Sequence, residues 1–277
     1  MIKKILVPLD GSENSRYGLE YAVWLAKKFG SSVIGLNVVD VVALEGPFLH
    51  DLSGSLGFEP FLNFSTKMRE ALDAKGRSVL GYFTETCGAA GVKCESSIAF
   101  GIVPNEICDK AKLADLVIMG RRGVNVKFEH GLLGSTTENV LRKSPKSVLI
   151  VPSHFREPKN LLLAYDGSPN ASKAMRSAAE WAKTLGLPLT VVTASTTGEE
   201  NSLLKEAEDY LKPYNIKAKF VHLDGEPAVA IKNYYDEKKH DLVFMGTSHH
   251  SRLVEMVLGS TTEHLMRALS GPFFLER

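Results

Sequence analysis

Two clusters in this chain have the residue types and spacing of an anion site, and each occurs twice. Gly120, Gly123 and Gly134-Ser135-Thr136-Thr137-Glu138 return downstream as Gly246 and Gly259-Ser260-Thr261-Thr262-Glu263. Asp10-Gly11-Ser12 returns as Asp166-Gly167-Ser168. Glycine permits positive φ and close backbone approach, Ser135 stands where an N-cap belongs, and Glu138 completes a capping box. Amides at such a helix start would face a phosphate. One glycine loop before one capped helix is common in α/β proteins, but its repetition in both copies favours phosphate.

For Asp10 and Asp166 two readings stand. The bland one is a turn or N-cap residue, as Asp-Gly-Ser suggests. The other is a carboxylate that accepts from a ribose hydroxyl or helps hold a Mg²⁺ bridging phosphates. Arg121 and Arg122 offer charge to a phosphate tail, with a solvated loop arginine the alternative for at least one of them. Neither copy carries a Ser/His/Asp or Cys/His constellation, a Walker lysine or paired carboxylates at a catalytic spacing. Adjacent His249 and His250 have no third ligand at helpful spacing and read as loop histidines. Cys87, Cys94 and Cys108 form no CxxC and read as buried or surface thiols.

The elements that must position these residues alternate. Ile5 to Leu9 is a short apolar run ended by Asp10-Gly11-Ser12. Tyr17, Tyr21, Trp24, Leu25 and Phe29 then fall at helical spacing until Gly30. Further strands are expected at Val33 to Val39, Val92 to Ala99, Asp115 to Met119 and Ser147 to Val151. Helices are expected from Lys67 to about Cys87, from Val103 to Lys112 and after Gly134. This predicts an α/β chain of two tandem doubly wound domains, each a five-stranded parallel sheet of order 3-2-1-4-5 with helices on both faces. The ligand crevice of such a sheet lies beyond the strand ends where the order reverses, between the first and fourth strands. Asp10 and Gly120 would face each other there.

The first copy carries roughly 30 more residues between its motifs than the second, assigned to the stretch near 40–66. Phe48, Phe58, Phe61 and Phe64 predict an ordered flap there, packed over the site, on the other half or on its own domain. The domains are read as 1–154 and 155–277. With 33 Lys plus Arg against 32 Asp plus Glu, the chain has no basic field for nucleic acid or anionic membrane. No apolar run reaches a membrane span and the start leads straight into a strand, so a cytoplasmic location is expected.

Together these residues resemble the universal stress protein family, in its tandem form with two family domains in one chain. The resemblance rests on the Asp-Gly-Ser strand end, on Gly120-Arg121-Arg122-Gly123 followed after ten residues by Gly134-Ser135, and on Val148-Leu149-Ile150-Val151-Pro152. It covers essentially the whole chain. The family spaces the second glycine nine residues from the Gly-Ser pair, so the first copy is longer by one. The resemblance implies ATP binding, with adenine near Val38 at the end of the second strand. The site residues of the first half are then Pro8, Leu9, Asp10, Val38, Met119, Gly120, Arg121, Arg122, Gly123, Gly134, Ser135, Thr136 and Thr137. Those of the second are Asp166, Ala194, Gly246, Gly259, Ser260 and Thr261. There His249 replaces the second glycine, and strain at a glycine-only backbone, or a rearranged loop, predicts a weaker or empty second site.

The resemblance also implies antiparallel pairing of the last strands, Val148 to Val151 with Pro272 to Leu275, as a pseudo-dimer within one chain. A homodimer of the whole chain is expected in addition. Two function classes follow: a nucleotide-dependent stress regulator, or a protein-interaction module with vestigial crevices. A slow ATPase ranks behind both, and no true turnover enzyme is expected.

Overall fold

The computed structural model describes residues 2–41, 61–123, 133–196, 201–247 and 259–277. The first half runs β1 (Lys4–Pro8), α1 (Glu13–Phe29), β2 (Ser32–Asp40), α2 (Phe61–Ala89), β3 (Cys94–Gly101), α3 (Val103–Ala111), β4 (Leu116–Gly120), α4 (Ser135–Lys143) and β5 (Ser147–Val151). The second runs β6 (Leu161–Ala164), α5 (Pro169–Leu185), β7 (Leu189–Ser195), α6 (Asn201–Leu211), β8 (Ala218–Asp224), α7 (Pro227–Lys238), β9 (Leu242–Gly246), α8 (Ser260–Ala268) and β10 (Phe273–Glu276).

The strands form one sheet in the order β3-β2-β1-β4-β5-β10-β9-β6-β7-β8. Each half has the expected 3-2-1-4-5 order with parallel pairing. The expectation of two five-stranded sheets is corrected in one respect: the halves share a single sheet. β5 and β10 pair antiparallel, with Ile150 opposite Phe273, Leu149 opposite Phe274 and Val148 opposite Leu275. The apolar edge of each half is thereby covered by the other, which removes a pairing hazard.

The first helix of each half is set by the same local signals. Ser12 Oγ accepts from Ser15 N, and Gly30 ends α1 in the left-handed region at φ 66°. Ser168 and Gly186 do the same for α5. Both helices bury one face against the sheet, and the two meet at the junction. Phe29 of α1 packs on Trp181 of α5 with ring centres 5.5 Å apart, and Trp181 lies edge-on to Phe274 of β10. The core on this face is continuous from one half to the other. The connection between halves is pinned as well: Tyr21 Oη donates to the Arg156 carbonyl at 3.1 Å and its ring packs on Phe155.

Helix α2 starts at Phe61 rather than at Lys67, so Phe61 and Phe64 belong to a helix. The rest of the expected flap, with Phe48 and Phe58, lies outside the described residues.

Candidate functional site

At the end of β1 the chain keeps pairing for one more residue, as Leu9 N donates to the Leu36 carbonyl at 2.7 Å. It then turns sharply. Asp10 Oδ1 accepts from Ser12 N at 2.9 Å, and Gly11 takes φ 82°, a conformation that side chains rarely adopt. The turn reading of Asp10 is thus realised, and it sets the start of α1. The other oxygen of the same carboxylate faces the second motif: a β-carbon added at Gly123 would stand 2.7 Å from Asp10 Oδ2. Motifs more than a hundred residues apart in sequence are in van der Waals contact.

Gly120, ending β4, lies against the first turn of α1, where a β-carbon would come within 2.9 Å of both Asn14 Cβ and the Asn14 carbonyl oxygen. Thr137 Oγ1 donates to the Gly120 carbonyl at 3.1 Å, and Gly134 N donates to the Arg121 carbonyl at 2.8 Å. These two bonds hold the start of α4 against the end of β4. Together β1, β2, β4, α2, α3 and α4 enclose a cavity of about 250 Å³. Pro8, Leu9, Asp10, Val38, Met119, Gly120, Arg122, Gly123, Gly134, Ser135, Thr136 and Thr137 all line it. Its lining combines an apolar set, Leu36, Val38, Val103, Ile107 and Met119, with the first turn of α4.

Three expectations are corrected. The N-cap of α4 is Gly134, at φ −69° and ψ 149°, with Ser135 one place inside the helix and no side chain capping it. Glu138 pairs with Arg142 at 2.8 Å instead of reaching back. With glycine as N-cap the glutamate stands one place beyond the capping-box position, and the same holds for Gly259, Glu263 and Arg267 in α8. Second, Gly120, Gly123 and Gly134 are not among the positive-φ glycines. Gly120 and Gly123 serve close approach, not an unusual backbone. Third, Arg121 does not line the cavity. Its guanidinium reaches the second half and donates to the carbonyls of Met266, Leu269 and Gly271, at 2.8, 2.5 and 2.9 Å. Burial pushes its pKa below the ordinary arginine value, offset in part by the nearby Tyr235.

Sequence reasoning missed the wall supplied by β2 and α2. Asn37 is buried, donates from Nδ2 to the Leu9 carbonyl at 2.7 Å and lines the cavity. Gly76 of α2 lies directly on it, since a β-carbon there would meet Asn37 Oδ1 at 2.4 Å. Lys75 also lines the cavity, a second cation in the lining besides Arg122. A lone asparagine in an apolar strand was the available signal for Asn37; nothing marked Lys75 or Gly76.

In the second half Asp166 repeats the turn, its Oδ1 accepting from Ser168 N at 2.9 Å. Ala194 lies in β7, Gly246 ends β9 against Asn170 and Ala171, and Gly259, Ser260 and Thr261 open α8. His249 lies outside the described residues. The strain assigned to it loses its basis, because its counterpart Gly123 has no positive φ. The thiol of Cys87 is pushed up to about 12, first by burial and then by neighbouring Cys94, so it stays protonated. Among the described residues no group of three or more His, Cys, Asp or Glu is placed to hold a metal ion. No helix among them is long and apolar enough to cross a membrane.

A sequence profile of the universal stress protein family matches residues 1–152 and again 157–275. Universal stress protein Slr1230 of Synechocystis is 30% identical over 282 residues, covering 98% of both chains. Universal stress protein MJ0531 of Methanocaldococcus jannaschii is 32% identical over 57% of this chain and 86% of its own. A universal stress protein of Archaeoglobus fulgidus, solved by crystallography, superposes with a TM-score of 0.79 at 27% identity over 99% of this chain and 98% of its own. With both halves matched and a full-length relative in register, the chain belongs to the universal stress protein family.

Proposed function

We propose that the first crevice binds ATP and that the chain acts as a nucleotide-dependent regulator in the stress response, not as a turnover enzyme. The observation that carries this reading is the uncapped start of α4. Gly134 caps the helix without a side-chain hydrogen bond, and Ser135, Thr136 and Thr137 line the cavity there. Amides so placed, at the positive end of a helix dipole, favour phosphate. The apolar lining of Val38, Ile107 and Met119 suits a purine face, Asp10 suits a ribose hydroxyl, and Arg122 with Lys75 suits the charge of a polyphosphate. Where Mg²⁺ accompanies the nucleotide, Asp10 is the carboxylate placed to help hold it through the phosphates.

Hydrolysis in this reading is slow, below the roughly 1 to 1,000 per second of ordinary enzymes. Asp10 is engaged in its turn through Ser12 N, which suits it to orientation more than to proton abstraction. The second crevice is the weaker of the two, with Asp166, Ala194, Gly246, Gly259, Ser260 and Thr261 as its residues. A cytoplasmic location and a homodimer of the whole chain belong to the same proposal.

Calorimetry with ATP tests it. The full chain is expected to bind at micromolar affinity, and Gly134→Val, which places a side chain over the α4 amides, is expected to abolish the heat. An unchanged isotherm in that variant removes the site. Steady turnover above about one per second, lost in Asp10→Asn, would make the chain an ATPase instead.

A further inference from the structure

Arg121 sits between the two loop glycines of the first crevice yet contributes nothing to its wall. It does two other things. Its main-chain carbonyl accepts from Gly134 N, the N-cap of α4, at 2.8 Å. Its side chain crosses the junction and donates to the carbonyls of Met266, Leu269 and Gly271. These acceptors lie in the last turn of α8, at its C-cap and just beyond, where a helix leaves carbonyls without intrahelical partners and where its dipole favours a cation. Among the described residues no carboxylate pairs with this guanidinium, and its Nε finds no acceptor. A buried arginine held by backbone carbonyls alone is bound by geometry rather than by ion pairing.

Among the described residues, the second half shows no such arrangement. Thr247 occupies the position of Arg121; its N–H donates to the Glu276 carbonyl and its own carbonyl accepts from Asn170 Nδ2. Both partners of Thr247 belong to the second half.

We propose that Arg121 is a positioning residue for the first crevice: anchored on the C-terminal end of α8, it holds the Gly120–Gly123 loop and Gly134 at the spacing the bound anion needs. The first site is therefore complete only with the second half docked. Because α8 begins at Gly259-Ser260, the anchor also joins the first loop to the far end of the helix that opens the second crevice. The inference rests on the nucleotide reading for its effect on affinity, and on geometry alone for the anchor.

The test uses the full chain and three variants. Arg121→Ala removes the anchor, and Arg121→Lys keeps the charge but loses the fork of donors. Gly271→Ala disturbs the acceptors from the other half, since its β-carbon would meet Tyr235 Oη at 2.3 Å and the Asp241 carbonyl oxygen at 2.6 Å. Two quantities are read: hydrogen exchange of the Gly134 amide without nucleotide, and ATP affinity by calorimetry. Arg121→Ala should speed Gly134 exchange and weaken ATP about tenfold, with Arg121→Lys between it and the parent and Gly271→Ala shifting both in the same direction. Unchanged Gly134 exchange in Arg121→Ala overturns the anchor. If that variant does not fold, unchanged exchange in both Arg121→Lys and Gly271→Ala does so. Faster exchange with parental ATP affinity overturns the positioning role and leaves Arg121 a strut. A parent chain that binds no ATP, with exchange still accelerated, counts against the nucleotide reading and supports the anchor.

Discussion

Gly134 and Gly259 open α4 and α8 with no side-chain cap, whereas Ser12, Ser168 and Glu226 cap α1, α5 and α7 through an oxygen that accepts an amide three residues on. The first turn of α4 lines the first crevice, and its start without a side-chain cap is the arrangement an incoming anion needs. Substituting Gly134→Asp should therefore separate stability from binding. A carboxylate cap adds a few tenths to about 1 kcal/mol to α4, so the melting temperature should hold or rise. ATP affinity should nevertheless fall at least tenfold, because the aspartate occupies the amides and repels phosphate; a parallel fall of both would contradict this. His240 gives a second prediction at this scale. It is buried, stacks on Tyr234 with ring centres 5.6 Å apart, and has no partner for either ring nitrogen among the described residues. Burial lowers its pKa from 6.5, against a smaller raising effect of Asp241. The unfolded chain thus takes up the proton first, and stability present above about pH 6.5 is lost as pH falls toward the lower folded value. Replacing His240 with Phe should flatten that loss in urea melts between pH 7 and 5. Asp10, the glycines and the Gly-Ser-Thr-Thr repeat were legible in sequence because local chemistry marks them. The choice of Gly134 over Ser135 as cap was not, because Ser and Gly are both ordinary cap residues and the local pattern does not choose between them.

The elements were legible to the extent that their periodicity is local. Order, direction and the meeting of β1 with β4 follow from alternating strands and helices, and the crevice follows from that order. The contribution of α2 does not follow, because nothing in its own sequence says that Lys75 and Gly76 come to rest on Asn37. Tertiary packing chooses that face. Gly120 and Gly246 show the same dependence: read first as phosphate-loop glycines, they are also the points where β4 and β9 touch α1 and α5. A β-carbon at Gly246 would lie 2.3 Å from Ala171 N, and one at Gly120 2.9 Å from the Asn14 carbonyl oxygen. Gly246→Ala should cost on the order of 2 kcal/mol in urea denaturation and Gly120→Ala less, since overpacking grows with the overlap to be relieved. Equal, negligible losses would mean that these glycines serve only a ligand.

At the scale of the whole molecule, the junction of β5 with β10 turns two domains into one ten-stranded sheet. Severing it should expose two apolar edges and split a shared core. A chain of residues 1–154 alone should self-associate through Val148–Val151, seen as a dimer or larger species in sedimentation, and Ile150→Lys should return it to monomer. A monodisperse monomer of the unsubstituted half would show that the edge is not sticky. The repeat announced the two halves and the family pattern announced their antiparallel pairing, but the cross-junction bonds of Arg121 were invisible, since they end on backbone carbonyls that carry no residue signature. The central claim is that this assembled molecule holds ATP in its first crevice. Native mass spectrometry of the freshly purified full chain, titrated with ATP beside the Gly134→Asp variant, measures it directly. One nucleotide per chain at micromolar concentrations, lost in the variant, is the predicted result; no adduct up to millimolar ATP, or an equal adduct in both, would contradict it.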